Sequence, residues 1–336
     1  MIKTFGLIFS ISIFTYLYFE LRTYTNKKRL NYSLFIISTV ILIISLNPNL
    51  KILESLSILF YLNDLPGGKI LTISVIISLI NLLIIFLLIT NNSAEKYTNV
   101  IKNLDFQGKL NLKSKDLIII VPVFNEYQNL DFFLKKNKKY LKYILFIDDG
   151  STDETLNFLI KKKQNYISLP SNLGGGFALR VGYAQAIKNK INFVATVDAD
   201  NQHLISDVQY FKKFLKKNIS IDVVIGSRLL KTRKIISIRV FGIYFFNFFF
   251  FLITGKRISD CSSGIKCFRA NILRKLNLSQ NQYHTPEFLL ECIKKKIHIK
   301  YLPTTILKRK FGLSKKGNIF IYFYGFLNST ISSWFR

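Results

Sequence analysis

The sequence predicts an α/β domain built on a mainly parallel sheet, preceded by a module of membrane-spanning helices. Three observations carry that prediction. Uncharged apolar runs occupy much of residues 1–90. From residue 116 onward, short β-rich runs alternate with helical stretches, the pattern of βαβ units. Polar motifs rich in Asp and Gly fall at the ends of the β-rich runs, where open parallel sheets bind ligands.

In the first module, Phe5–Phe19 and Leu30–Leu46 are short apolar runs without charge, and Ile70–Ile89 is a longer one. At about 1.5 Å per residue the last is long enough to cross a hydrocarbon core of ~30 Å. No small-residue cleavage site follows the first run; Arg22, Lys27, Lys28 and Arg29 do, which argues against a secretory signal. Those basic residues place the first loop in the cytoplasm. Lys51 and Lys69 are balanced by Glu54 and Asp64, so the second loop can face outward. Three spans then put the N-terminus outside and everything after Ile89 inside. Ile52–Leu62 reads as a segment lying along the interface. The expected location is the cytoplasmic membrane, with the following domain facing the cytoplasm.

Composition agrees with a membrane setting. The chain has 336 residues, 48 Lys and Arg against 19 Asp and Glu, and a formal net charge of +29, yet it is 49% hydrophobic. An AT-rich genome would explain the Lys but not the shortage of Asp and Glu. Such an excess suits anionic lipid headgroups and phosphorylated substrates. It is spread over Lys-rich helix faces with no recognisable nucleic-acid module, so nucleic acid is not an expected partner. Cys261, Cys267 and Cys292 have no C-x-x-C spacing and read as reduced thiols.

Residues 91–115 read as a polar linker with room for one short helix. Strands are expected at Leu117–Val121, Tyr143–Ile147, Phe193–Val197 and Asp222–Ile225. Helices are expected at Asn129–Lys139, Thr152–Lys163, Gly176–Asn189 and Ser206–Lys217. The domain so built runs over 116–316. Phe241–Ile253 is aromatic-rich and short for a span; it reads equally as an interfacial helix or a buried one. Residues 317–336 mix Phe, Tyr and Trp334 with Asn and Ser, which predicts an interfacial amphipathic segment.

The motifs follow the strand order. VPVFNE, at Val121–Glu126, ends the first strand, and Pro122 can end its pairing because it has no amide donor. FIDDGSTDET, at Phe146–Thr155, offers Asp148 and Asp149 to a ribose or base, and Ser151 or Thr152 as a helix cap. NLGGGFALRVG, at Asn172–Gly182, could admit a phosphate or simply pack a helix start tightly; it is neither G-x-G-x-x-G nor a P-loop. VATVDADNQH, at Val194–His203, puts Asp198 and Asp200 one residue apart after a strand, so both point one way. With Gln202 they form an oxygen set suited to Mg²⁺ or Mn²⁺. The same letters also fit a polar turn that merely ends a strand.

With GSR at Gly226–Arg228, DCSSG at Asp260–Gly264 and RKFGLSK at Arg309–Lys315, the order resembles the inverting family-2 glycosyltransferases of the GT-A fold. Within them it is most similar to the branch that makes polyprenyl-phosphate sugars, the dolichyl-phosphate mannose synthase type. The resemblance covers roughly residues 116–315. It implies a Rossmann-like GT-A domain and a membrane-bound hexosyltransferase, which takes a UDP- or GDP-linked sugar to a polyprenyl phosphate with inversion. It implies that Pro122, Phe124 and Glu126 contact the nucleotide, with Ile147 and Asp149 closing around base and ribose. It implies Asp198, Asp200 and Gln202 on the metal, Ala199 beside the donor, and Arg228, Arg309 and Lys315 on phosphates. Asp200, Arg228, Arg309 and Lys315 are the expected catalytic set; oligomeric state is left open.

Some positions depart from that branch. Phe124 stands where Tyr is common, Gly175 where a basic residue is common, and Leu204–Asp207 lacks the usual Pro. The spans precede the domain rather than follow it. No general base stands out, as expected if the nucleophile is a lipid phosphate already ionised. If a sugar hydroxyl were the acceptor instead, His284 and Glu287 are the best base candidates. Thr285–Pro286–Glu287 also reads as a helix N-cap, first position and first-turn acid. His203 and His298 read as structural.

Overall fold

The computed structural model describes residues 107–111, 114–231, 238–307 and 319–335. The three expected spans, the 22–29 loop, the 52–62 segment, most of the linker, and Arg309 and Lys315 lie outside the described residues. Eight strands form one sheet: β1 (Gln107–Lys109), β2 (Leu117–Val123), β3 (Ile144–Asp148), β4 (Tyr166–Ser168), β5 (Phe193–Thr196), β6 (Val223–Ser227), β7 (Lys266–Arg269) and β8 (Ile299–Pro303). Their spatial order is β1-β4-β3-β2-β5-β7-β6-β8.

The central strands are apolar without alternation because both faces are covered. In β2, Leu117 through Val121 and Val123 are buried, and every residue of β3 and β5 is buried. β2 pairs in parallel with β3 and with β5, and β3 with β4. The sheet is nonetheless mixed: β7 runs antiparallel to both β5 and β6, and β1 antiparallel to β4. β1 lies inside the expected linker.

Helices α1 (Tyr127–Lys136), α2 (Thr155–Lys161), α3 (Gly175–Lys188) and α4 (Ile205–Lys217) fall close to the expected stretches. Lys138–Tyr143, which takes in the end of the first expected helix at Lys139 and the start of the second expected strand at Tyr143, is a separate 3₁₀ turn after Asn137. One sheet face packs Ile119, Val121, Phe146, Ala195, Val197, Ile265 and Cys267 with Leu130 and Phe133 of α1 and Val208, Phe211 and Leu215 of α4. The other face lies under α3 and α6 (His284–Lys294). There Phe268 of β7 stacks on Tyr183 at 5.7 Å and on Phe288 at 5.2 Å between ring centroids. Such pairs contribute ~0.5–1.5 kcal/mol beyond area burial.

Helices α5 (Ile238–Thr254) and α7 (Ile319–Phe335) have 17 residues each. Among the described residues no helix is long and apolar enough to cross a membrane. α7 packs on α6 through Tyr283, which lies against Gly325, and through Ser329 Oγ, which donates to the Tyr283 carbonyl at 3.1 Å. Phe326 and Trp334 are buried. On α5, Phe246 stacks on Phe326 at 4.2 Å, while Tyr244, Phe248 and Leu252 are exposed at four-residue spacing. That segment is therefore buried on one side and aromatic towards solvent on another. Apart from residues 253–255, the described residues form one compact unit.

Candidate functional site

The strand order reverses direction between β2 and β5, and this is where a crevice opens. The β2–β5 ladder ends at Ile120↔Thr196, whereas β2 continues with β3 to Val123↔Asp148. Past Thr196 the chain leaves the sheet, so a gap forms beyond the carboxyl ends of two neighbouring parallel strands. Pro122 sits at this parting: it opposes Ile147 across β3, and β5 no longer needs a donor from it. Its expected role as the end of pairing holds on the β5 side only.

Asp198, Ala199, Asp200 and Gln202 line the turn after β5. Val197 and Ala199 are buried while Asp198 and Asp200 are partly exposed, so the two carboxylates share the outward side. The Asp198 side chain is 49% exposed and lies 4.0 Å from His203 Nε2 through Oδ2. A Cβ on Gly264 would overlap that same oxygen, whereas Oδ1 would stand 3.3 Å away from it. Thr196 Oγ1 donates to the Gly264 carbonyl at 2.9 Å and holds this glycine in place. Asp200 Oδ1 accepts the Gln202 amide at 3.0 Å, a local turn that Asn201 allows by taking φ 63°. Gln202 Nε2 donates to the Leu307 carbonyl at 3.2 Å, a bond that does not use its amide oxygen.

On the opposite wall, Glu126 is buried, and its Oε2 accepts from Asn129 Nδ2 at 2.6 Å. Its backbone amide donates to Thr155 Oγ1 at 2.9 Å. Phe124, partly exposed, precedes Asn125, whose left-handed φ of 49° turns the chain. Asn125 is tied to Ser151 and Thr152. Those two residues therefore pin the β2 loop and do not cap α2, which begins at Thr155 behind Asp153. Asp149 is buried and accepts the Leu173 and Gly174 amides at 2.8 and 2.9 Å. Asp148 is likewise engaged by Ser168 Oγ at 3.0 Å.

The glycine run packs a loop. Gly176 donates its amide to the Asn281 carbonyl at 2.7 Å, and side chains on Gly174 or Gly176 would run into the backbone of 280–281. Arg180 clamps that loop with 2.7 and 2.6 Å bonds to the Gln280 carbonyl and Asn281 Oδ1. The tight-packing reading of this motif is the one the geometry supports. Gly175 alone faces open space.

Glu287 is 1% exposed, and its Oε1 accepts the Ser279 and Gln280 amides at 2.8 and 3.1 Å. The helix starts earlier than expected: Tyr283, in the left-handed region, is the N-cap, so Pro286 sits at the third helical position and Thr285 is no cap. Pro is tolerated there because first-turn amides have no intrahelical partner. Arg228 is paired with buried Asp260, Nε to Oδ2 at 2.7 Å, and leans on Ser262. This pair holds the guanidinium at the mouth of the crevice with its side chain 24% exposed.

Sequence reasoning missed two groups. Lys266 of β7 opposes Thr196 across the antiparallel pair, so it points to the same side as Asp198. It is 1% exposed, its Nζ has no hydrogen-bond partner, and it lies over the Phe288 ring at 5.1 Å. Burial pushes its pKa down to about 8, against the pull of Asp198. Only a basic letter inside an otherwise apolar β-rich run could have flagged it. His203, read as structural, is buried beside Asp198. Burial, and then Arg228, hold its imidazole below the usual range, with Asp198 opposing. Burial and the Lys266 charge hold the His284 imidazole well below its usual range.

Among the described residues no three His, Cys, Asp or Glu cluster to hold a metal by themselves. The residues present fit a hard divalent cation in another way. Two carboxylates and an amide oxygen leave coordination positions for phosphate oxygens, as Mg²⁺ and Mn²⁺ prefer. The Asp198 carboxylate is half exposed, with Oδ2 the oxygen nearer to Gly264 and within 4.0 Å of His203 Nε2.

Residues 118–276 match the family described as Glycosyl transferase family 2. An uncharacterized protein of Methanocaldococcus jannaschii is 30% identical over 156 residues, 44% of this chain and 63% of that protein. A UDP-N-acetylglucosamine–dolichyl-phosphate N-acetylglucosaminyltransferase of Methanococcus voltae is 27% identical over 160 residues, 45% of this chain and 62% of the relative. The matches thus span less than two thirds of these relatives. Glucosyl-3-phosphoglycerate synthase of Mycobacterium tuberculosis, solved with Mn²⁺, UDP and phosphoglyceric acid, superposes with a TM-score of 0.52 at 14% identity, covering 65% of this chain and 78% of that one. The same enzyme with Mg²⁺ and UDP gives 0.50 at 14% identity, with 65% and 79% covered. Residues 118–276 thus resemble glycosyl transferase family 2, and the α/β unit they belong to has the GT-A type fold.

Proposed function

We propose that this protein is a membrane-bound hexosyltransferase that moves a sugar from a UDP- or GDP-linked donor to a polyprenyl phosphate, with inversion. The observation that carries the reading is the Asp198–Gln202 turn at the switch point, with paired carboxylates on one side of the crevice. The Methanococcus voltae relative is named for transfer to dolichyl phosphate, which supports a lipid phosphate acceptor. The solved relative binds UDP with Mn²⁺ or Mg²⁺, which supports the donor and cation class.

Asp198, Asp200 and Gln202 would hold the divalent cation, which when bound offsets the charge growing on the departing nucleoside diphosphate. Asp149, by holding the 173–174 amides, shapes the wall that Pro122, Phe124, Glu126 and Ile147 complete around the nucleotide. Arg228 is pre-oriented by Asp260, so its planar donors need no reordering when a phosphate arrives. Arg309 and Lys315 are the further phosphate partners this reading expects. The nucleophile is a phosphate oxygen. With a second pKa near ~6 it is largely dianionic at neutral pH and needs no proton removed. A saturated Glu287 carboxylate accords with that and weighs against a hydroxyl acceptor. Attack opposite the leaving diphosphate inverts the anomeric carbon. The domain acts at the cytoplasmic face of the cytoplasmic membrane.

The test is transfer of label from nucleotide sugars into organic-extractable, mild-acid-labile lipid. Asp200→Asn should fold and lose at least ~10²-fold in rate, and EDTA should do the same until Mg²⁺ or Mn²⁺ is restored. Full turnover in excess chelator would remove the metal role; label in a glycan but not in lipid would remove the acceptor.

A further inference from the structure

His203 is an oddity in this fold. It is a polar ring buried just before α4, its Nδ1 has no hydrogen-bond partner, and burying an imidazole for packing alone carries a desolvation cost that an apolar side chain would avoid. The other ring nitrogen faces Asp198 Oδ2 at 4.0 Å. That oxygen already has Gly264 against it, at a position where no side chain fits. Gly264 is itself fixed by the Thr196 hydroxyl. The Gly264 backbone just before β7 and His203 after β5 therefore crowd Oδ2 more closely than Oδ1, while the carboxylate as a whole stays half exposed.

We propose that His203 is a positioning residue: its Nε2–H holds Asp198 Oδ2 so that Oδ1 alone is presented to the divalent cation. This rests on the metal reading of the Asp198–Gln202 turn. A ring shift of about 1 Å closes the 4.0 Å separation to a hydrogen bond. With Oδ2 held, Asp198 binds through one oxygen, and the coordination positions a two-oxygen grip would take stay open for phosphate. Partners of this kind typically change metal affinity by about 10–100-fold when removed.

The experiment is Mn²⁺ affinity of the full chain in detergent, read by electron paramagnetic resonance without any sugar donor. The variants are His203→Phe, His203→Gln, Gly264→Ala and Asp200→Asn, each checked by thermal melt. His203→Phe should weaken Mn²⁺ by about 10-fold or more, while His203→Gln, which keeps a donor near the Nε2 position, should stay within about 3-fold of the parent. Gly264→Ala, which crowds the same oxygen without touching the ring, should weaken it comparably to His203→Phe. If the parent binds Mn²⁺ and loses it in Asp200→Asn, but His203→Phe binds as well as the parent, the positioning role is overturned and the metal reading stands. His203→Gln as weak as His203→Phe also overturns it, because a donor at that place then does not sustain the metal site. Should His203→Phe fail to fold, parental affinity in Gly264→Ala overturns it. No Mn²⁺ binding by the parent would overturn the metal reading and this one together.

Discussion

Lys266 illustrates how the site is assembled at some expense to the fold. Its ammonium is fully buried over the Phe288 ring with no hydrogen-bond partner, so the charged form is disfavoured and its pKa falls to about 8 despite the opposing pull of Asp198. The unfolded chain keeps the ordinary value near ~10.4. Below pH 8 both states are protonated and the whole penalty is present, on the order of 3 kcal/mol. Between about 8 and 10.4 the unfolded state binds more protons, so the parent gains stability as pH rises. Lys266→Met should therefore melt higher than the parent at pH 7 in EDTA, and the gap should narrow steadily towards pH 10; a pH-independent gap would show that the amine is not desolvated. Glu287 gives the second residue-level expectation. Its carboxylate receives backbone donors from Ser279 and Gln280, and Gln would turn an NH₂ group towards one of them. Glu287→Gln should lower stability by about 1–3 kcal/mol yet keep turnover within ~10-fold, whereas Arg309→Ala and Lys315→Ala should be severe. Initial rates below the melting range decide it: a loss of ~10²-fold in Glu287→Gln with Arg309→Ala nearly silent would favour a base mechanism.

Helix α3 and the 279–283 loop behave as one element. The helix begins with glycines because the loop backbone occupies the space their side chains would need, and Arg180 one turn later secures it. Gly176→Ala should cost about 1–3 kcal/mol by overpacking. It should also raise amide exchange at Gln280 and Asn281, whereas Gly175→Ala, facing open space, should leave both unchanged. This element also shows what a sequence conveys. Strands β2, β3, β5 and β6 were readable because each is a solid apolar run whose residues are almost all buried. β1, β4 and β7 were not: they have 3, 3 and 4 residues, and β7 begins with a buried Lys whose meaning depends on α6 above it. The D-x-D turn was readable because both ligands come from one local segment. Gly264 was not, since its relation to Asp198 exists only after β7 pairs with β5, and His203, though close in sequence, was not because only the fold shows its ring buried beside that carboxylate.

For the whole molecule, the basic excess, the apolar N-terminal runs and the exposed aromatics of α5 are what the proposed membrane setting rests on. Tyr244, Phe248 and Leu252 recur every four residues and so share a helix face, with Phe323 of α7 also exposed. Side chains of that kind favour the headgroup region, where an apolar face can bury while the domain stays in water. Under that proposal the basic stretch 22–29 sets which side that is, because Lys and Arg near span ends are retained in the cytoplasm. The whole glycosyltransferase domain should then share the compartment of that loop, and the 47–69 loop should lie opposite. A membrane-impermeant maleimide applied to intact cells provides the measurement. The three native cysteines give little background: Cys261, Cys267 and Cys292 are free but buried, and burial pushes the Cys267 thiol up to about 12. A Cys placed at Asn49 should be modified from outside. A Cys at Asn111, on the exposed stretch after β1, should react only once the cells are opened. Labelling of Asn111→Cys in intact cells, with Asn49→Cys protected, would invert the topology and separate the domain from a cytoplasmic supply of nucleotide sugar.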